Sequence, residues 1–577
     1  MRLVNWLRHD KVAVARPLLG LTFALLLITA AVVAVTWPQA AYLTTKTGGH
    51  TDALFSVWRL AWIADSLISE QLRLFDPPIF YPYKDTLAYS DAILLSGALI
   101  APFRWLGVQA FTVYNAYLLF SFVLSGFAAA LVCHRVSGSW AAAAVGGVIF
   151  TINPHRMEHF EHLELITSAG IPLAFYCWYL GAARRSSAWF AAVLLCIAVQ
   201  WYLGMYQGLF LATVLPALWL DWRLLDSKAR VAATKGVVIG ALLLLAVVAP
   251  SVAPYLRARQ EVGERSAAAV AEYSATPEDF IAVHPRNWLY GSSLSRFGAP
   301  ERHFFPGAAA VILALAGFVV AAPRTRLLYA AVAFVAVELT LGSNGVLIPV
   351  LREIAPPYRS LRAPARAMVV VFLPIALFAS LGVTWLIRVV KAVPGAVIAV
   401  VLVTILVIEY RMVPDLWDVP TRPGRMVWTA PANSVFAEYP TARPDRLDQN
   451  LDIHYMVGHI GDWTRMLNGY SGHYPGGYIQ FLEGAIDFPS TRSVATMSER
   501  GATHIAVHQR WLKNEYGPLI VSLLGRPELE LVAWYHEFDG EVAVFRIATV
   551  LGETHRTLGT LGTTGTPEPR PSQYAIA

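Results

Sequence analysis

The sequence predicts an α-helical polytopic membrane protein with a small α/β domain at its C-terminal end. Three observations lead there. Of the 577 residues, 56% are hydrophobic and only 15% charged, well below the roughly 25% charged content of soluble domains. Apolar runs of about 18 to 22 residues recur as far as Tyr410, the length a helix needs to cross the hydrocarbon core. Beyond Pro414 the composition changes abruptly to Pro, Gly, Asp and Arg, with short alternating apolar runs.

The first apolar run, 17–37, follows Arg2, Arg8, Lys11 and Arg16 and has no small-residue cleavage signature after it. It reads as an uncleaved span entering from the cytoplasm. The next stretch, 92–107, is about 16 residues long, interrupted by Pro102 and ended by Arg104, which suits an interfacial or re-entrant helix better than a crossing. With that choice the spans fall at 110–133, 139–154, 166–183, 188–203, 204–221, 236–255, 306–322, 327–343, 366–387 and 393–411. Arg135, Arg184-Arg185, the group Arg223/Lys228/Arg230/Lys235, Arg324/Arg326 and Arg388/Lys391 then all face the cytoplasm. A crossing at 92–107 would turn every one of them outward, against the positive-inside bias. About eleven transmembrane helices follow, N-terminus in and C-terminus out.

This orientation exports the loops 38–109, 155–165, 257–305 and 347–365, together with everything past about 414. The alternating runs at 504–508 and 541–545 read as strands. The expected domains are a transmembrane unit (1–413), an exported α/β domain (414–548) and a disordered tail rich in Thr, Gly and Pro (549–577). Cys133, Cys177 and Cys196 lie inside apolar runs and read as buried hydrophobes. The net charge of +6 is spent in short loops on topology, which argues against a nucleic-acid partner. Absence of an internal repeat argues against an inverted-repeat transporter.

Four stretches could carry chemistry. Asp52 stands just past the outer end of the first span and opens a helix whose Phe55, Trp58 and Trp62 recur at helical spacing, as in a helix lying in the membrane interface. Its carboxylate is either a general base for a hydroxyl nucleophile or a helix N-cap. The aromatic loop 80–91 offers Tyr81, Tyr83 and Tyr89 to a sugar face, while Asp91 is better read as the cap of the following helix than as a second acidic group. The turn His155-Arg156-Met157-Glu158-His159-Phe160-Glu161-His162-Leu163-Glu164 is dense in imidazole and carboxylate. It could bind a divalent metal through Glu158, His159 and His162, hold a phosphate through its histidines and Arg156, or be a solvated turn. Arg359, Arg362 and Arg366 stand on the exported side against the charge bias, which a phosphate or anionic headgroups would explain. Within the spans, Gln200 and Glu338 read as residues snorkelling to water.

Taken in order, these residues look familiar. An Asp in a long first exported loop is followed by an interfacial helix, a Phe-Tyr-Pro loop ending in Ser90-Asp91, and Tyr114-Asn115. Then come a Phe-x-x-x-Pro-x-Arg-like turn at 150–156 with histidines after it and the Arg-x-Pro-x-Arg segment 362–366. The tail adds Asn468-Gly469-Tyr470-Ser471-Gly472 and Phe488-Pro489. The pattern resembles the bacterial membrane glycosyltransferases of the C-type (GT-C) superfamily. That resemblance implies a polyprenyl-phosphate-linked sugar as donor, a glycan, lipid or protein acceptor, inversion at the sugar, and a site on the outer face of the plasma membrane. It makes Asp52 the catalytic base. Asp91, Tyr81, Tyr89, His155, Arg156, His159, His162, Arg359, Arg362 and Arg366 become candidates for binding substrate. The superfamily often has a second acidic residue after the third span, where this chain offers Glu158, Glu161 and Glu164 but no Asp; that departure counts against metal dependence, and no cofactor beyond a candidate divalent metal is expected. The rival readings are a transporter or flippase of lipid-linked sugars and a non-catalytic envelope-assembly protein.

Overall fold

The computed structural model describes residues 2–49, 51–419, 430–431, 433–444, 451–537 and 540–548. The tail expected to be disordered, 549–577, lies outside them. Most of the described chain is helical. Six helices are long and apolar enough to cross a membrane: Leu18–Thr36 within α1 (Arg2–Thr36), α4 (Ala110–Ser137), Leu163–Arg184, Ser227–Val262, Pro323–Asn344 and Pro364–Val389. Three shorter apolar helices, Ser187–Leu203, Ala308–Val320 and Gly395–Tyr410, lie where spans were expected. The stretch expected at 139–154 forms α5 (Trp140–Ile152), 13 residues long, and that at 204–221 forms a helical run from Met205–Val214 through a 3-10 turn, Leu215–Ala217, to Leu218–Trp222. By length and composition alone, six spans are clear among the described residues.

α5 sits at the centre. It is apolar on every side, and Ala142 to Ile152 are all buried, as expected of a helix with no polar face. Its glycines let neighbouring backbones approach: a Cβ on Gly147 would lie 2.6 Å from the Gly126 carbonyl oxygen, and one on Gly146 2.8 Å from that of Ala376. Gly317 and Gly382 do the same for Ala308–Val320 against Met368–Val389. Small residues at such crossings are how helices pack where lipid leaves little hydrophobic drive.

The first loop is tightly organised. After β1 (Lys46–Gly48) comes α2 (Thr51–Ser66), and later α3 (Leu94–Trp105). α3 has 12 residues, about 18 Å of helix against a hydrocarbon core of about 30 Å, too short to cross. α2 does not lie with one face toward lipid, as its aromatic stripe suggested. Every residue from Ala53 to Ala64 is buried, because the C-terminal segment covers the stripe. Trp463 packs edge-on to Trp58 and Trp62 with centroids 6.2 and 5.1 Å away, and Tyr470 packs on Phe55 at 5.3 Å.

Beyond the last apolar helix, β2 (Leu416–Asp418) returns to pair antiparallel with β1. A five-stranded mixed sheet follows, ordered β4-β3-β5-β7-β6 and built from β3 (Val435–Tyr439), β4 (Arg465–Met466), β5 (His504–His508), β6 (Leu529–Glu537) and β7 (Gly540–Ile547). The two strands expected from alternation, 504–508 and 541–545, are β5 and β7, and they pair in register Ile505↔Phe545 and Val507↔Ala543. The loop 78–81 adds to the sheet edge: the Phe80 and Tyr81 N–H groups donate to the Asn468 and Met466 carbonyls, each at 3.0 Å.

Candidate functional site

Asp52 is the second residue of α2, inside the helix rather than capping it. Both carboxylate oxygens go to side chains: Oδ2 lies 3.0 Å from His162 Nε2, and Oδ1 accepts the Tyr470 hydroxyl at 2.9 Å. The N-cap reading is therefore wrong. The side chain keeps 36% exposure, so a saturated-looking carboxylate still faces open space. Burial alone would raise its pKa, but His162, Tyr470 and Arg366 outweigh that and hold it below the usual carboxylate range. Burial and Arg366 push the His162 imidazole down, but Asp52 and Glu301 overcome them and lift it to about 9. At neutral pH the pair is carboxylate and imidazolium.

Behind this pair the charges alternate. Arg366 donates through Nε to Glu301 Oε2 at 3.0 Å and lies 4.0 Å from Glu164 Oε1. Glu164 Oε2 is 3.3 Å from Arg59 Nη2. Arg59 is 2% exposed, lies 4.3 Å over the Phe55 ring, and donates from Nη1 to the Asp91 carbonyl at 2.5 Å. Buried ions cost several kcal/mol each unless paired, and here every member but Asp91 has a charged partner. Asp91 does not cap α3, whose N-cap position is Ile93; its Oδ1 is buried without a partner. Burial and the Glu164 charge push the Asp91 carboxyl up to about 7, against Arg59, Arg366 and the Met205 N–H. Two carboxyl groups whose surroundings drive them apart, one held ionised and one titrating near neutrality, are a frequent mark of acid–base sites.

The three arginines separate. Arg359 is occupied by the Arg352 and Glu353 carbonyls and lies 3.8 Å from Glu264. Arg366 is committed to Glu301 and Glu164. Arg362 has no carboxylate within ion-pair distance among the described residues; its guanidinium lies 4.8 Å over the Tyr273 ring. Arg265 is beside it, pushed down to about 10 by burial and the Arg362 charge, and donates to the Gly472 carbonyl. His473 is driven well below its normal pKa by burial, Arg265 and Arg362. The segment Tyr470-Ser471-Gly472-His473 thus runs from the Asp52 carboxylate to this cationic corner.

Other expected binding residues are used internally. Arg156 is 1% exposed, bonds Ser168 Oγ and the Ile166 carbonyl, and lies over the Phe122 and Phe150 rings, so it has no free face for phosphate. Tyr89 is 1% exposed beside Phe80 and presents no stacking face to a sugar, while Tyr81 is half-buried against Gly501 at the sheet edge. Gln200 is fully buried and donates to the Thr167 carbonyl and Gln207, so it does not snorkel. Of the metal set Glu158, His159 and His162, His162 turns its Nε2 to Asp52, although its ring lies 5.1 Å from that of His159. The groups whose ligating atoms converge are His155, Glu158 and His159. Glu301, Arg59, Arg265 and His473 were given no site role by the sequence reading, and Tyr470 stood there only as part of the tail motif; an Arg inside an aromatic helix was a usable signal for Arg59.

A family model described as a domain of unknown function, DUF6311, matches residues 17–408. The chain belongs to the DUF6311 family. No curated protein matches it. Among solved structures, the arabinofuranosyltransferase AftD from Mycobacteria is similar with TM-score 0.58 at 14% identity, over 92% of this chain and 41% of the AftD chain. A second AftD structure gives 0.54 at 14%, over 91% and 41%. The apo oligosaccharyltransferase of Archaeoglobus fulgidus gives 0.49 at 12%, over 86% and 70%. This chain therefore spans about two fifths of the AftD length it matches, 41%, and at such identities the likeness is one of fold, a GT-C-like membrane fold.

Proposed function

We propose that this DUF6311 chain is an inverting glycosyltransferase that moves a sugar from a polyprenyl-phosphate donor to an acceptor hydroxyl on the exported side of the plasma membrane. The acceptor is a cell-envelope glycan, a glycolipid or a protein. The observation carrying this reading is the continuity between an ionised, solvent-facing Asp52 and an unpaired Arg362 through the loop 470–473. The GT-C-like fold supports it.

In this reading the acceptor oxygen attacks the anomeric carbon from one face while the lipid phosphate leaves from the other. Asp52 accepts the hydroxyl proton. A carboxylate this acidic is a weak base, which suits a displacement in which cleavage of the sugar–phosphate bond leads and the proton departs late. His162 and Tyr470 orient the carboxylate. Asp91 can carry a proton near neutral pH. The leaving phosphate meets Arg362, with Arg265 and His473 beside it, because Arg366 and Arg359 are already neutralised. A fixed cation at about 4 Å contributes about 4 kcal/mol at an effective dielectric of about 20. Residues 1–413 form the membrane-embedded unit and 414–548 an exported unit that completes the site.

The test is sugar transfer in detergent from a radiolabelled polyprenyl-phosphate sugar pool, comparing wild type with Asp52→Asn. The variant is expected to lose transfer by about 10²- to 10⁴-fold. Equal rates would remove Asp52 from the chemistry and this reading with it.

A further inference from the structure

The turn after α5 holds a second group of side chains that the transfer chemistry does not use. His155 and His159 are four residues apart across the helix Pro154–Glu158, so both reach the same side of it, with Glu158 between them. One ligating atom from each of the three lies within 4.8 Å of the others. His155 and His159 are each 1% exposed and the Glu158 side chain 7%. A polar group sealed from water without a hydrogen bond costs about 1–3 kcal/mol, yet this one small volume holds several. His155 Nδ1, both ring nitrogens of His159 and Glu158 Oε2 are buried and unpartnered.

The other Glu158 oxygen explains why this is organised rather than accidental. Oε1 accepts the Glu301 N–H at 2.8 Å and lies 2.7 Å from His303 Nδ1. One oxygen is thereby fixed by an outer layer while the other is left bare beside two imidazoles. Outer partners that orient a carboxylate or imidazole in this way are a recurrent feature of metal centres.

We propose that His155, Glu158 and His159 form a binding site for a divalent transition metal of the zinc class, with His303 as the outer partner that orients Glu158. Two imidazoles and one carboxylate are a ligand set zinc accepts, with bonds of about 2.0–2.2 Å and a fourth position for water. The ion holds the turn 153–162 together, Glu158 ties that turn to the loop carrying Glu301 and His303, and both support the base on which His162 and Glu164 stand. The His159 ring lies 5.1 Å from that of His162, so the site adjoins the Asp52–His162 pair, but its ligand set does not include Asp52 and does not depend on the reaction assigned to it.

Zinc content of the purified full-length chain, freed of any affinity tag and dialysed against zinc, tests this directly. Cobalt loading of the chelator-stripped wild type is the second measurement. Equimolar zinc and an intense visible cobalt spectrum of a four-coordinate site are expected in wild type and in Asp52→Asn. Both are expected to vanish in Glu158→Gln and His159→Ala, and His303→Gln should weaken the metal about 10- to 100-fold. Wild type that binds neither metal, or gives only the weak spectrum of six-coordinate cobalt, overturns the proposal. So does metal that persists in Glu158→Gln and His159→Ala but leaves with Asp52→Asn. The wild-type cobalt spectrum needs no substitution, so a variant that fails to fold cannot hide the answer.

Discussion

Asp52 beside the membrane helices and Glu438 in the C-terminal sheet are both carboxylates bonded to imidazole. Asp52 is 3.0 Å from His162, while Glu438 is 3.0 Å from His459 and 2.7 Å from His508. Their surroundings then diverge. Glu438 is 1% exposed, and its His459 partner is itself held by Asp462 at 3.1 Å. Burial pushes Glu438 up, but the two histidines overcome it and hold the carboxyl at about 2. Asp52 keeps 36% of its side chain open and belongs to a chain of charges drawn from four separate stretches, with the Tyr470 hydroxyl from a fifth. The same pair of residue types makes a closed structural clamp in one place and an accessible reactive group in the other. Exposure and leftover capacity distinguish the two; the constellation alone does not.

The strongest way to break this contrast is to neutralise both carboxylates. Asp52→Asn should lower transfer by about 10²- to 10⁴-fold, with a smaller loss of melting temperature than Glu438→Gln because the Asp52 side chain is part-exposed. Glu438→Gln should do the opposite, costing about 3–5 kcal/mol of stability as a buried ion network loses a partner, with transfer per folded molecule nearly kept. A Glu438→Gln protein of normal melting temperature but no transfer would dissolve the distinction.

A smaller effect should come from Tyr470→Phe. Losing a hydrogen bond to a charged group costs about 1.5–3 kcal/mol, or transfer roughly tenfold to a hundredfold slower, with the acid limb of the pH–rate profile moved upward as Asp52 becomes easier to protonate. Smaller again is the contrast between Arg362→Ala, expected to raise the donor KM about tenfold, and Arg359→Ala, expected to change it less than about twofold because its charge is spent locally. Equal effects would return the phosphate role to the whole cluster.

The mildest signal is in stability against pH. The His162 pKa is raised to about 9 in the folded chain, against about 6.5 when unfolded. Its stabilising contribution is full below about 6.5 and lost as pH rises through about 9. The melting-temperature gap between wild type and His162→Gln should therefore shrink across that interval. A gap that widens would mean that His162 is neutral beside Asp52.

Much of the helical frame was legible in the sequence. The apolar runs gave the positions of the long helices, and alternation gave β5 and β7, because side-chain periodicity is a local property of each element. Asp52 and the arginine segment stood out because charge near apolar helices is expensive and needs a reason. Local pattern misled where burial came from a distant segment. The stripe Phe55, Trp58 and Trp62 has the same spacing whether it faces lipid or Trp463. Asp91 before an apolar run looks like a cap whether or not its carboxyl turns inward.

The sequence by itself determined a helical membrane frame, a terminal sheet and an acidic residue at the mouth of the first span, since each follows from the chemistry of neighbouring residues. Only the tertiary structure decided that Tyr470 reaches Asp52 across 418 positions, that Glu301 takes the Arg366 charge, and that Arg362 has no carboxylate partner among the described residues. Such pairings depend on how the return of β2 to β1 and the packing of 451–474 on α2 place distant side chains, and no local periodicity encodes that geometry.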